Sequence, residues 1–308
     1  MVKDLVSIIT PCYNSRNFLD KLLESVLIQD YPSIEMILVD DGSVDELAEF
    51  LIEHDYFNRF ETRGFKLYYC RQENMGQAVA INLGLTKYSG EYLTWPDSDD
   101  YYYDHSAISS FVNAINMSDV DIIRCYPRHV DQLGNDLGFH IPNFSDDRVF
   151  EECLLENNFW FSPICYFFKA SNIKKVLDNR IIPSRVGQNF QLYLPLFYFG
   201  NLSTLKLDLV NYLVRSNSHS HSKKSYAQAL ERLDNILELK LQILNDYDLR
   251  IEPTLMKSLY KKFKLSYLNV RLEYGRIGEA FLYLTRNLMF SKGAYLMFIK
   301  KVFLQRSN

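Results

Sequence analysis

The chain has 308 residues, of which 47% are hydrophobic and 15% aromatic, enough for one large α/β domain or two smaller ones with packed cores. Its longest strongly apolar runs, such as residues 192–199, are far below the ~20 residues that span a bilayer, which excludes a membrane-spanning class. The net charge of −4 divides unevenly, with −12 over residues 1–222 and +8 from residue 223 onward.

The five cysteines predict reduced thiols. They are odd in number and show no CxxC spacing, at positions 12, 70, 125, 153 and 165. We therefore expect buried thiols of a cytosolic protein, and neither disulfides nor a zinc site. Asp4 and the strand-like Ser7–Thr10 stand where a signal peptide would be. The expected location is cytoplasmic, either soluble or peripheral at the inner membrane face.

Apolar strand patterns alternate with amphipathic helix patterns over the first hundred residues. Strands are predicted at 5–10, 34–39, 65–70 and 91–95, and a helix follows each of the first three. This order predicts an α/β fold with a doubly wound, mostly parallel, Rossmann-like sheet. No GxGxxG follows the first strand and no Walker A motif is present, which disfavours a dinucleotide or P-loop site.

Polar groups follow all four predicted strands, and ligands of such sheets bind outside the carboxyl ends of the strands. The four sets are expected to converge on one crevice: Tyr13 and Asn14, Asp40 and Asp41, Asn74 and Gly76, and Asp97 and Asp99.

The fourth strand ends in a cluster of carboxylates, within the stretch EYLTWPDSDDYYY. Asp97, Asp99 and Asp100 occupy three of four positions, and like charges this close repel one another. Hard oxygen ligands suit Mg²⁺ or Mn²⁺, which also take water and phosphate oxygens. The alternative is a solvated acidic turn.

The segments VSIITPCYN, ILVDDGSVD, ENMGQAVAINLGL and SGEYLTWPDSDD resemble, in this order and spacing, the inverting family 2 glycosyltransferases of GT-A fold. The resemblance covers residues 4–105. It implies a nucleotide-sugar donor, usually UDP-linked, and Mn²⁺ or Mg²⁺ as cofactor. Asp97-Ser98-Asp99 matches the Asp-x-Asp motif, with Asp99 as the direct metal ligand. Bacterial relatives commonly build surface polysaccharides on lipid-linked acceptors.

By position, Pro11, Tyr13 and Asp41 would bound the nucleoside pocket, with Asp41 accepting a hydrogen bond from the base. The full set assigned to the nucleotide sugar is Pro11, Tyr13, Asp41, Asn74, Gly76, Asp97 and Arg215. Tyr13 could instead be a core or turn residue, and Asp41 a helix cap. Asn82 is interpreted as a structural residue.

The second half departs from the family at its catalytic position. A strand is predicted at 120–125 and a turn at 132–138, and residues 159–168 are strongly aromatic. The family has a Glu-Asp pair there whose Asp is the general base, but this chain has Gln188 and Asn189. Amides cannot take a proton at neutral pH. Another residue is then the base, the acceptor is activated differently, or the activity is lost.

Residues 211–222 resemble the end of the family's catalytic domain, where a residue closes over the diphosphate or completes the metal site. Arg215 and His219 are the candidates, with a solvated loop as the alternative for His219. The predicted organisation is a catalytic domain over 1–222 and a helical region over 223–308. Within the domain, residues 1–105 form the nucleotide-sugar half and 106–222 the acceptor half.

Helical periodicity marks the rest of the chain, at 225–244, 253–263, 277–288 and 294–303. From residue 253 onward the net charge is +9, with aromatic and aliphatic residues interleaved, which suggests contact with an anionic membrane surface. The alternative is that these helices pack on the catalytic domain and that their charges are solvated. A nucleic-acid role is disfavoured because no nucleic-acid module is recognisable. The prediction is an inverting, metal-dependent hexosyl- or N-acetylhexosaminyltransferase acting on a glycan or lipid-linked hydroxyl. The rival is a nucleotide-sugar-binding protein without transferase activity.

Overall fold

A computed structural model describes residues 1–139, 141–157, 159, 162–215, 224–287, 296 and 298–300. The chain divides into two compact units, Met1–Ser216 and Asn217–Asn308.

The first half of unit one is the predicted alternation of strands and helices. Its elements are β1 (Val2–Cys12), α1 (Arg16–Leu27), β2 (Ile34–Asp40), α2 (Leu47–Glu53), α3 (Tyr56–Thr62), β3 (Lys66–Arg71), α4 (Gln77–Leu85), β4 (Gly90–Thr94) and the short β5 (Tyr101–Tyr102). Strands β3, β2, β1 and β4 lie side by side and are parallel. Every residue of β2 is buried, as expected for a strand covered on both faces. The predicted doubly wound α/β sheet is confirmed.

The second half continues the same sheet in mixed orientation. Its elements are α5 (Ala107–Met117), β6 (Ile122–Val130), β7 (Asp136–Phe139), α6 (Val149–Leu155), β8 (Tyr166–Lys169), α7 (Ala170–Leu177), α8 (Gln188–Phe199) and β9 (Leu202–Leu213). The strand order is β3-β2-β1-β4-β8-β6-β9-β5, and β7 pairs with β6. Strand β8 is antiparallel to both β4 and β6. The predicted turn lies between β6 and β7, where Asn135 donates its backbone N–H to Asp131 and Gly134 has a φ of 82°.

An aromatic cluster joins α8 to the end of β4. Trp95 stacks on Phe168 with ring centroids 4.5 Å apart, and its Nε1 donates to the Tyr193 hydroxyl at 3.0 Å. These rings are buried, so the aromatic richness of residues 159–168 serves the core in its described part. All five cysteines are free; four are buried and Cys70 is half-buried.

The start of β4 lies against β1 at a point with no room for a side chain. A Cβ at Gly90 would lie 2.5 Å from the Leu5 carbonyl oxygen and 2.6 Å from Ser7 Oγ. We expect Gly90→Ala to destabilise unit one by about 1–3 kcal/mol, because one of the obstructing atoms is backbone. Urea denaturation followed by circular dichroism would measure this loss.

The control is Gly278→Ala, whose added methyl meets nothing within 4 Å. It replaces a helical glycine, so a gain of up to about 1 kcal/mol is expected. Equal denaturation midpoints for Gly90→Ala and the wild type would contradict the close approach of β1 and β4.

Unit two is helical in its described part. It contains α9 (Tyr226–Asp246), α10 (Pro253–Glu273) and α11 (Ile277–Arg286). Ser225 begins α9 with a capping box to Gln228, and Pro253 is the first residue of α10. A buried cluster joins α10 to α11 through Leu268, Leu272, Ala280 and Leu284. These helices agree with the predicted periodicity; most of the predicted 294–303 helix lies outside the described residues.

No helix in the described part of the chain is both long and apolar enough to cross a membrane.

Candidate active site

The acidic turn follows β4 at the carboxyl ends of the parallel strands, where ligands of such sheets bind in a crevice. Asp97, Asp99 and Asp100 follow Pro96, and the Asp100 N–H donates to the Asp97 carbonyl at 3.2 Å. Asp100 is fully buried and its Oδ1 accepts the Leu213 N–H at 3.0 Å. Asp100 therefore ties the end of β9 to the acidic turn. It is a structural carboxylate, whereas Asp97 and Asp99 are partly open to the crevice.

The same connection brings Arg215 to the turn. Arg215 lies two residues beyond β9, forms an ion pair with Asp99 and stacks on Phe18 with its guanidinium carbon 4.5 Å from the ring centroid. Its side chain is 25% exposed, so a ligand in the crevice can reach it. The structure thus places Arg215, predicted to bind the donor, in contact with Asp99, predicted to bind the metal.

Burial is the main cause that raises the pKa values of the three carboxyl groups in the acidic turn. Burial and the neighbouring Asp99 raise the pKa of Asp97 to about 7. Burial also raises the pKa of Asp99, although Arg215 opposes the shift. Burial and both neighbouring aspartates raise the pKa of Asp100 well above its usual range. A cation among these carboxylates would stabilise their ionised forms.

The residues present fit the cofactor that the sequence predicts. Asp97 and Asp99 offer the one or two carboxylates by which Mg²⁺ or Mn²⁺ is usually held, with phosphate and water completing its coordination. Among the described residues, no group of three or more His, Cys, Asp or Glu side chains could hold a metal ion. His219, the third predicted ligand, lies outside the described residues.

Asp41 organises the loop that follows β3. Its carboxylate is 4% exposed and accepts three hydrogen bonds, from Gln72 Nε2 at 2.7 Å and from the N–H groups of Met75 and Gly76 at 2.8 Å. Helix α2 begins after Glu46, so the helix-cap alternative for Asp41 is wrong. Within the described part of the chain these three bonds leave one of the four lone-pair sites of the carboxylate without a donor. Its contact with a nucleotide base therefore stays a prediction.

Two glycines allow this loop to lie against its neighbours. Gly42 has a φ of 76°, and a Cβ there would lie 2.8 Å from the Asn74 nitrogen. Gly76 has a φ of 96° and precedes α4. Both require the left-handed conformations that glycine adopts freely.

Two residues that the sequence interpretation did not single out support the site. Gln77 Nε2 donates to Asp97 Oδ1 at 2.8 Å and so fixes the orientation of that carboxylate. Arg185 donates to the Asn74 side chain at 3.1 Å and to its carbonyl at 2.8 Å, which joins the acceptor half to the donor loop. Both bonds depend on contacts between distant segments, for which the sequence contained no signal.

The remaining predicted donor residues lie at the strand ends. Pro11 is buried near the end of β1, and Tyr13 is 46% exposed just beyond it, which excludes a core position for Tyr13. Asn74 is exposed and held by Arg185. Asn82 exchanges two hydrogen bonds with the Ile181 backbone, at 2.9 and 2.8 Å, so its structural interpretation is confirmed.

Gln188 and Asn189 begin α8, after Gly187 in a left-handed conformation. Both are half-buried, and their side chains form no hydrogen bond within the described part of the chain. Asn189 lies one turn before Tyr193, on the helix face that contacts Trp95. The first turn of α8 therefore lies between two contacts with the donor half, that of Arg185 with Asn74 and the buried one of Tyr193 with Trp95.

A scan against protein-family models matches residues 7–181 to glycosyl transferase family 2. The matched segment covers more than half of the chain and includes β1 to β4, the acidic turn and α7. It ends before Gln188, Asn189 and Arg215.

Among curated relatives, TuaG of Bacillus subtilis (strain 168) is described as a putative teichuronic acid biosynthesis glycosyltransferase. It is 41% identical over 98 residues, which are 32% of this chain and 37% of TuaG. The chain spans less than half the length of several curated relatives that it matches.

Among solved structures, TarS residues 1–349 from S. aureus in complex with UDP-GlcNAc has a TM-score of 0.60 at 18% identity, covering 96% of this chain and 79% of that one. The mannosyltransferase PcManGT from Pyrobaculum calidifontis, in complex with GDP-Man and Mn²⁺, has a TM-score of 0.57 at 16% identity, covering 99% and 86%. These likenesses concern the fold, and the predicted GT-A fold is confirmed.

Proposed function

Because the chain belongs to glycosyl transferase family 2, we propose that it moves a sugar from a nucleotide diphosphate donor to a hydroxyl, with inversion. The donor is a UDP-linked hexose or N-acetylhexosamine, and the acceptor is a glycan or a lipid-linked glycan of a bacterial surface polysaccharide. The observation that carries the proposal is the convergence of Asp97, Asp99 and Arg215 at the end of β4. The UDP-GlcNAc bound by TarS and the wording of TuaG's description support the donor and acceptor classes.

The crevice is suited to bind the donor at its two ends. Tyr13, Asp41 and the loop that Asp41 holds would enclose the nucleoside. Arg215, at the opposite side of the acidic turn, would contact the diphosphate, whose negative charge grows as the sugar leaves. Because the Arg215 guanidinium stacks on Phe18, it is already oriented before the donor arrives.

Asp97 and Asp99 would hold the divalent cation, and Gln77 would keep Asp97 turned toward it. When bound, Mn²⁺ or Mg²⁺ supplies a Lewis acid that stabilises the leaving diphosphate. The Mn²⁺ in the PcManGT complex supports this assignment. His219, outside the described residues, is proposed as a further ligand.

The acceptor side supports a second candidate function. Gln188 and Asn189 can orient a hydroxyl by hydrogen bonds, but they cannot remove its proton. A nucleotide-sugar-binding protein without transferase activity would have the same donor half. The two functions differ only in turnover.

The experiment that separates them uses purified full-length chain, Mn²⁺ and a panel of UDP-sugars, scored for UDP release with and without glycan acceptors. Thermal shift on the same panel reports donor binding, since a bound ligand stabilises the folded state by mass action. Release that requires Mn²⁺ and stops with EDTA supports the transferase. If a UDP-sugar stabilises the chain but no UDP is released, the result supports the binding protein. If no UDP-sugar stabilises the chain and no UDP is released, both candidate functions are wrong.

We also propose that the protein works in the cytoplasm at the inner membrane face. Helix α10 presents Lys257, Lys261 and Lys264 at positions i, i+4 and i+7, all exposed on one face. On α11, Phe281 and Leu282 are about half exposed. Such basic and apolar surface suits an anionic lipid interface, to which each Lys or Arg contributes about 1 kcal/mol.

We expect the chain to co-sediment with anionic vesicles at low salt and to be released at high salt, because salt screens the attraction. Lys257→Gln/Lys261→Gln/Lys264→Gln should weaken sedimentation while donor binding stays intact. The control is Lys66→Gln, an exposed lysine of β3. Equal sedimentation with neutral and anionic vesicles would contradict the proposal.

A further inference from the structure

A groove of about 830 Å³ runs beside α4, outside the donor crevice. Residues 178–185 follow α4 in the opposite direction, as three contacts show: Arg185 to Asn74, Ile181 to Asn82, and Tyr88 to Asn179 at 2.8 Å. Gln72, which binds Asp41, lines the groove. The groove therefore begins beside the donor loop and follows the acceptor-half segment away from it.

The groove is lined by basic side chains in an acidic unit. Lys174 and Arg180 line it together with Asp178. Residues 157–207 contain six Lys and Arg, and Asp178 is their only carboxylate, whereas residues 1–222 as a whole carry −12. Lys174 has no ion-pair partner among the described residues, and Arg185 at the crevice end binds only the neutral oxygens of Asn74.

The other lining residues suit a carbohydrate more than a compact inorganic anion. Val79 and Leu83 offer apolar surface for the C–H faces of sugar rings, and Thr86 and Ser89 offer hydroxyls. An open channel with both surfaces and separated cations fits a chain of sugars that carries oxyanions along its length.

We propose that this groove binds an anionic stretch of the acceptor, a glycan bearing repeated phosphate or carboxylate groups. Lys174 and Arg180 contact its oxyanions, and Arg185 receives the group nearest the crevice. The inference rests on the proposed function, since it names the substrate class of the same site. It adds that the acceptor is negatively charged, which does not follow from donor binding alone.

The test measures binding of three fluorescent probes to the full chain by anisotropy: a glycerol-phosphate oligomer, an oligogalacturonate and a neutral dextran oligomer. Lys174→Gln/Arg180→Gln removes both groove cations, which are exposed, and thermal unfolding by circular dichroism checks that the variant is folded. We expect at least about a tenfold loss of affinity for the preferred anionic probe, as for two lost charge-assisted contacts. UDP affinity should not change.

The matched control is Lys175→Gln/Lys66→Gln, which removes the same charge from exposed positions that do not line the groove. Its affinity for the probes should stay within about twofold of the wild type. Four outcomes would each overturn the proposal. They are an equal loss of probe affinity in both double variants, equal affinity for dextran and the anionic probes, no binding of any probe, and displacement of the probe by UDP alone. A higher affinity for one of the two anionic probes identifies phosphate or carboxylate as the charged group of the acceptor.

Failure of this proposal can be told from failure of the proposed function. Metal-dependent UDP release by the wild type with no probe binding leaves the transferase and removes the groove as an acceptor site. Probe binding that is lost in the groove variant, with no donor binding or release, removes the transferase and leaves an anionic-glycan site.

Discussion

Asp99→Asn is expected to lower UDP release by about 100-fold or more while the fold is retained. The change removes the carboxylate that the family assigns to the metal and the ion pair with Arg215. A loss of this size is typical when one group that stabilises developing charge is removed. Because two other carboxylates crowd the same turn, removing one also relieves repulsion, so we expect little loss of stability.

Three measurements check this result: UDP release at saturating donor, Mn²⁺ affinity by electron paramagnetic resonance, and thermal unfolding by circular dichroism. The matched control is Asp147→Asn, an exposed aspartate whose side chain forms no hydrogen bond within the described part of the chain. It should behave as the wild type in all three. If Asp99→Asn turns over at nearly the wild-type rate in EDTA, the metal assignment is wrong.

The donor half could be predicted because its signals are local. A buried parallel strand is a short apolar run, and all seven residues of β2 are indeed buried. The polar residues that follow each strand must then meet at one edge of the sheet. That rule placed Asp41, Asn74 and Asp97 correctly at the strand ends, because the end of each strand is marked by the local sequence pattern.

The supporting contacts could not be predicted, because they join segments far apart in the chain. Arg185 and Asn74 are 111 positions apart, and Asp100 and Leu213 are 113 apart. The antiparallel insertion of β8 between β4 and β6 was also missed. Three of its four residues are aromatic, and so short a run is equally compatible with a buried helix or a buried strand.

The sequence also could not show that the Asp41 carboxylate accepts several hydrogen bonds from its own chain. Its position after β2 suggests a ligand or a helix cap, whereas three donors from residues 72–76 occupy its carboxylate. Loop geometry decides which donors reach a buried oxygen, and that geometry depends on Gly42 and Gly76 in left-handed conformations. Composition and spacing do not determine these backbone angles.

Asn189→Asp is expected to raise hydrolysis of the preferred UDP-sugar by about 100-fold, since a positioned general base contributes roughly 10²–10⁴. Asn189 lies half-buried in the first turn of α8, at the position where the family has its catalytic aspartate. A carboxylate in a first helical turn is favourable to the helix dipole by about 0.3–1 kcal/mol, so the variant should fold. The gain should appear as pH rises through the pKa of the new carboxyl group and ionises it.

UDP release measured from pH 4 to 9, without acceptor and with water as the nucleophile, checks this expectation. Gln188→Glu is the matched control, because it adds the same charge one position earlier, about 100° around the helix, where a smaller gain is expected. The rate of UDP release could be unchanged in all four variants, Asn189→Asp, Gln188→Glu, Asn189→Ala and Gln188→Ala. That result would show that the first turn of α8 does not reach the reacting atoms. A gain confined to Asn189→Asp would instead mean that the present asparagine orients the nucleophile without deprotonating it. The native acceptor must then lose its proton to a group outside this pair.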